Sequence, residues 1–292
     1  MSVAKPPTVR LRRLAAELRR LRAAAKLTHE EVIQQTGITR PTIYRIERAR
    51  VRPQQRTLTT LLDLYEVSDE QRAEITALFM GAETQGWLRP SYHADLRDEY
   101  NAYIAFEAEA SAVRNYESLF IPGLLQTEDY ARAMTQGVWP SATTKDLDKH
   151  VQVRMERQVL LAKDDPLNLT AIIDEAALRR HVGGPLVMAE QMQRLQVLAE
   201  RPNVTLQVIP YAAGAHPGMP GSFALLSFPD ADDPEIVYID SMANDLFLES
   251  EQDIRHYTTT FNTLARVALS PDDSLSLIAA MIHELMQEQE TS

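Results

Sequence analysis

Apolar positions along the first eighty residues recur at helical spacing. Leu11, Leu14, Leu18, Leu21 and Ala25 step by three and four and mark one face of a first helix. Thr28 and Glu31 form a capping-box pattern that opens a short second helix through Val32 and Ile33 to about Thr36, and Gly37 supplies the turn that ends it. Thr39 is the next cap position. The third helix runs from Arg40 to about Arg48, with Ile43 and Ile46 inward and Pro41 in the first turn, where no N–H is needed. Leu58, Leu61, Leu62 and Tyr65 predict a fourth helix. Ser68 and Gln71 cap a fifth, which contains Ile75 and Phe79.

Beyond a connector at 81–98 the pattern changes. A helix is expected around Glu99–Tyr116, followed in "SLFIPGLLQTEDYARAM" by a short strand, a Pro-Gly turn and a helix capped by Thr127. Leu147 to Leu161 reads as a further helix. "LNLTAIID", "VTLQVIP", "GSFALLSF" and "EIVYIDS" read as strands, with helices between the first two. Two helices close the chain, the last marked by Ser270, Pro271 and Asp272–Asp273. These elements predict an N-terminal all-α five-helix domain over 1–80. A C-terminal α+β domain follows over 99–292, with a mixed or antiparallel sheet of about four or five strands covered by helices.

Charge sharpens the division. The 292 residues carry a formal net charge of -11, yet residues 1–56 hold 14 Lys/Arg against 4 Asp/Glu, a balance of +10. The other residues, 57–292, therefore hold 16 against 37, a balance of -21. A basic module on an acidic body points to a phosphate-bearing partner for the basic part. No apolar run approaches bilayer length, and the first twenty residues lack a signal-peptide core. Cysteine is absent, which removes thiolate chemistry and fits a cytoplasmic protein.

Two short helices joined by a glycine turn, the second of them basic, form a helix-turn-helix. "LTHEEVIQQTGITRPTIYRIERAR" resembles the phage-repressor (XRE, Cro-like) helix-turn-helix family, and the similarity covers about residues 10–68. The resemblance implies that Arg40, Thr42, Tyr44 and Arg45 face base edges in the major groove. It implies phosphate contacts for Thr28, His29 and Thr39 at helix N-termini, and for Arg48, Arg50, Arg52 and Arg56 at and after the third helix. It also implies a structural ion pair between Arg22 and Glu47. The sequence departs from the family at His29, which stands for glutamine, at Pro41, and at Ala49, which stands for glycine. Arginine reads guanine through two acceptors at once, whereas phosphate contacts give salt-sensitive affinity and orientation.

"FIPGLLQTEDYARA", "VRMERQ", "DEAALRRHVGG", "QMQRLQVLAERPNVTLQVIP" and "HPGMPGSFALLSF" are similar to the C-terminal region of actinobacterial antitoxin-like regulators. That resemblance implies transcriptional regulation beside a small partner protein and carries no catalytic residue over. The histidines show no zinc-protease spacing and no serine lies in a nucleophile elbow, so neither a metal nor a cofactor is expected and the chain reads as a non-enzyme. "GAHPGMPG" reads as a long surface turn or as a loop over a ligand pocket lined by Tyr103, Phe106, Trp139 and Asp240. Leu275, Ile278, Ile282 and Leu285 form a stripe that packs on the parent domain or joins two copies.

Three functions compete at this point. The leading one is a sequence-specific transcriptional regulator that binds double-stranded DNA as a homodimer, its C-terminal domain taking an effector or a small protein encoded nearby. The second is an antitoxin-like or anti-repressor module whose main ligand is that protein. The third is an enzyme carried by a DNA-targeting domain.

Overall fold

The computed structural model describes residues 9–81, 98–230, 233–240 and 245–290, so the connector expected at 81–98 lies, but for its end residues, outside the described residues. The chain divides into two compact units, the second beginning in earnest at Ala110.

The first unit contains α1 (Val9–Ala24), α2 (His29–Thr36), α3 (Arg40–Glu47), α4 (Gln55–Leu64), α5 (Asp69–Gly81) and α6 (Asp98–Glu109). Leu14, Leu18, Val32, Ile43, Ile46, Leu61, Leu62 and Ile75 are nearly or fully buried and form one core. Each such side chain contributes about 1.5–3 kcal/mol by leaving water. Local chemistry sets the helix ends. The Glu31 N–H donates to Thr28 Oγ1 while the Glu31 carboxylate accepts from the Thr28 N–H at 2.8 Å, a closed capping box. Gly37 takes φ +69° and returns its N–H to Ile33 at 2.9 Å. Lys26, Ala49 and Glu66 also adopt positive φ, at 55°, 53° and 51°.

The second unit is built on a six-stranded sheet of order β3-β2-β1-β4-β5-β6. Its strands are β1 (Ala112–Glu117), β2 (Asn168–Asp174), β3 (Val204–Ile209), β4 (Phe223–Ser227), β5 (Ile236–Ile239) and β6 (Leu246–Leu248). β1 pairs parallel to β2 and β2 parallel to β3, whereas β4, β5 and β6 run antiparallel to their neighbours. Helices α7 (Glu128–Val138) and α8 (Thr144–Arg157) connect β1 to β2, α9 (Glu175–Arg179) and α10 (Pro185–Ala199) connect β2 to β3, and α11 (Glu251–Val267) and α12 (Pro271–Glu290) follow β6. Tyr116, Ile172, Ile209, Phe223, Leu225 and Val237 share one sheet face and pack with Phe261 and Leu264 of α11.

Three expectations change. The helix expected through Tyr116 stops at Glu109, and its last third is the central strand β1, paired on both sides to β2 and β4. Two full ladders of backbone hydrogen bonds outweigh the helical preference of an alanine-rich stretch. The short strand expected at the start of "SLFIPGLLQ" is absent, since 118–122 form bends and irregular backbone ahead of a 3-10 turn at Gly123–Leu125; with β1 and the short β6 the sheet has six strands.

Candidate nucleic-acid interface

The candidate interface is built on α3. Ile43, Ile46 and Glu47 are buried, so the helix is anchored by one side. Arg40, Tyr44 and Arg45 are exposed on the other, and Thr42 is half-exposed. Tyr44 is 46% exposed although it is aromatic. The Arg48 guanidinium lies 4.2 Å above its centroid, and the His29 ring meets its edge at 6.4 Å. A cation stacked on an aromatic face holds a planar, donor-bearing surface toward solvent. Arg40 approaches Glu30 at 3.5 Å, but both side chains are well exposed, so this pair is weak and leaves Arg40 available.

A buried ionic group sets the position of α3. Glu47 accepts Arg22 Nε at 2.7 Å and Arg22 Nη2 at 3.1 Å. Its Oε2 also lies 2.8 Å from His29 Nε2. Burial raises the Glu47 carboxyl, but the hydrogen bonds from Arg22 and His29 together outweigh it and the net displacement is downward. Arg22 Nη1 donates to the Leu27 carbonyl and Arg19 Nη1 to the Glu47 carbonyl, so α1 holds both ends of the turn. Arg19 carries no local sequence signal for this role, because its acceptor lies 28 residues away.

The phosphate candidates divide. Thr28, Thr39, Arg48, Arg50 and Arg56 are exposed. Thr39 sits at the N-cap of α3 without capping it, because its hydroxyl pairs with Thr42 Oγ1 at 2.9 Å. The imidazole of His29 has Nε2 on Glu47, which leaves Nδ1 for an outside partner. Arg52 departs furthest from its expected place. Its Nε and Nη2 donate to the Phe79 carbonyl at 3.1 and 2.9 Å, and its guanidinium stacks 3.8 Å above the Phe79 ring. It therefore ties the loop after α3 to α5.

The four expected pocket residues are divided between the two units. Tyr103 and Phe106 lie on α6 in the first unit, while Trp139 meets His150 at 5.4 Å and Asp240 follows β5 in the second. The terminal stripe is taken up internally: Ile278 and Leu285 are buried, Leu275 and Ile282 half-buried, and α12 packs along α10 and β3. The "GAHPGMPG" loop folds inward at one point. His216, its side chain 6% exposed, places Nε2 3.2 Å from Asp174 Oδ2, and its Nδ1 accepts the Gly218 N–H at 3.3 Å. Gly218 lies directly on Tyr116, whose hydroxyl is buried without a hydrogen-bond partner. Sequence reading missed this group, because the hydroxyl, the carboxylate and the imidazole come from three separate strands and loops.

No helix among the described residues is long and apolar enough to cross a membrane. Residues 13–75 match a helix-turn-helix domain family, and residues 100–280, from within α6 into α12, match a domain of unknown function (DUF5753). No curated protein and no solved structure matches the chain.

Proposed function

The chain belongs to the family of the domain of unknown function DUF5753, joined here to a helix-turn-helix domain, and from that premise we propose a sequence-specific transcriptional regulator of the phage-repressor (XRE, Cro-like) type. The observation that carries the reading is α3, anchored by Ile43, Ile46 and Glu47 and presenting Arg40, Tyr44 and Arg45 outward with Thr42 beside them. On a duplex these four side chains face base edges, while Thr28, Thr39, Arg48, Arg50 and Arg56 approach the phosphates on either side. The protein acts in the cytoplasm as a homodimer on a two-fold site, since one module offers a small reading surface. Its acidic second unit binds an effector or a small protein and has no turnover of its own. The antitoxin-like resemblance and the -21 balance of residues 57–292 support a basic protein as one such partner.

Selection of bound duplexes from a random library by the full chain, followed by a salt titration, tests the proposal. One enriched motif is expected, with log K falling at a slope of about -4 to -5 against log salt if about five phosphates are neutralised. Arg45→Ala and Arg40→Ala flatten the motif more than they weaken non-specific binding. No enrichment together with a flat salt response refutes DNA reading by α3.

A further inference from the structure

We infer that the carboxyl edge of β1 holds a binding site for a small oxyanion, the carboxylate or phosphate group of a low-molecular-weight effector, formed by Arg154, Tyr130, Ser222 and the Glu117 carboxyl. The inference deepens the regulatory reading of the second unit and rests on it only for the consequence on DNA, not for the site. The chain extends the sheet from β1 through β2 to β3 on one side and from β4 through β5 to β6 on the other, so strand order reverses between β1 and β4. Ligands of open sheets bind outside the carboxyl ends of parallel strands near such a reversal. Glu117 ends β1, Ser222 precedes β4, and Tyr130 and Arg154 come from α7 and α8.

The hydrogen-bonding balance of this edge favours an acceptor-rich guest. Arg154 Nη1 donates to Gln126 Oε1 at 3.1 Å, but its buried Nε–H has no partner. Tyr130 is fully buried; its oxygen accepts the Ile121 N–H at 3.1 Å, and no described acceptor takes its proton. Buried donors without acceptors are uncommon and each asks for an explanation. A second guanidinium is close, since a Cβ added to Gly123 would lie 3.4 Å from Arg154 Nη1 and 3.5 Å from both Nη atoms of Arg157. Arg180 also acts on Tyr130 electrostatically. The outcome is a donor-bearing spot where Arg154, Arg157 and Arg180 stand against the carboxyls of Glu117 and Asp240. Leu119 and Phe120, both exposed just beyond β1, offer an apolar rim for the body of an organic ligand.

Glu117 adds a signature. Burial holds its carboxyl up at about 7, Asp240 after β5 pushes the same way, and Ser222, Asn115 and Arg154 pull against both. Tyr130 on α7 and Tyr116 on β1 are the other titratable groups that sense its charge. An oxyanion favours the neutral carboxyl, which donates to it, over the carboxylate, which repels it. Binding above pH 7 therefore takes up a proton, and affinity falls toward tenfold per pH unit there.

The test is a titration of the full-length protein with acetate and, separately, inorganic phosphate, read on the arginine Nε–Hε signals and assigned by Arg154→Lys. A saturable displacement of the Arg154 signal is expected, and the anion that saturates it at lower concentration identifies the preferred group. Tyr130→Phe weakens binding at least fivefold. Glu117→Gln keeps binding near pH 6 and loses the weakening of acetate above pH 7. Circular dichroism establishes that both variants fold, and if one does not, the other carries the test. A displacement that never saturates, or that Arg40 and Arg45 show equally and chloride abolishes, overturns the site. A saturable displacement that leaves operator affinity unchanged upholds the site and overturns its regulatory role.

Discussion

Replacing Glu47 by glutamine tests whether a buried charge sets the recognition helix. Glu47 is 5% exposed and receives two hydrogen bonds from Arg22 and one contact from His29, at 2.7, 3.1 and 2.8 Å. Glutamine keeps the volume, removes the charge and turns an amide NH2 toward a guanidinium. Removing one partner of a buried pair costs about 3–5 kcal/mol. The Arg22 side chain keeps 18% exposure, so water recovers part of this and about 2–3 kcal/mol is expected. Arg22→Met costs at least as much, because it leaves the more deeply buried partner with His29 alone. Native-state hydrogen exchange at the Ile43 and Ile46 amides measures both, and should quicken about 30- to 150-fold. A unit of about 5 kcal/mol stability that loses 3 is still about 97% folded, so destabilisation alone lowers DNA affinity by less than about twofold. A tenfold loss of affinity would report a shifted α3 instead. The Glu47 carboxyl lies below its ordinary value of 4.5, so the pair's contribution is complete above that pH and fades as pH falls beneath it. Exchange within threefold of the parent protein in both variants refutes the reasoning.

Gly218→Ala places a Cβ 2.5–2.8 Å from the Tyr116 ring and hydroxyl and should cost about 1–3 kcal/mol in thermal unfolding, whereas Tyr116→Phe, which removes only an unpartnered hydroxyl, should be neutral or stabilising. A Gly218→Ala protein as stable as its parent would show that the loop is not seated on that ring. Glu117 has a raised folded value of about 7, so its favourable contribution is complete below the ordinary 4.5 and lost as pH rises to 7, by up to about 3 kcal/mol. Urea unfolding at pH 5 and pH 8 should show that loss in the parent protein and not in Glu117→Gln; equal losses in both would remove Glu117 as its source. Lys26, exposed at φ 55°, should gain about 0.5–1 kcal/mol on replacement by glycine, read as a shift in urea midpoint, and any loss would count against strain there.

Features whose causes lie within a few residues were legible along the chain. The Thr28–Glu31 box, the Gly37 turn, the buried Ile43 and Ile46 and the Ser270 cap each depend on neighbours three or four positions away. So did the helix-turn-helix itself, because spacing alone decides which face of α3 is apolar and which carries arginine. Features whose partners are distant were not. Arg52 looks like any loop arginine until α5 brings the Phe79 carbonyl and ring against it, 27 residues away. His29 gives no hint along the chain that its Nε2 meets Glu47, 18 residues away at the end of α3.

β1 marks the same boundary most plainly. Alanines and glutamates before it favour a helix, and no glycine or proline interrupts them. Only the presence of β2 and β4 on either side makes extended backbone the better state, since each ladder exists only after the strands meet. The carboxyl edge of β1 follows from that pairing. Its Glu117, Tyr130, Arg154 and Ser222 come together from β1, α7, α8 and the residue before β4, and no local rule relates their positions. Local sterics and hydrogen bonding were thus enough to determine α3 and its two faces, while the long-range pairing of strands decided what the second unit places at its edge.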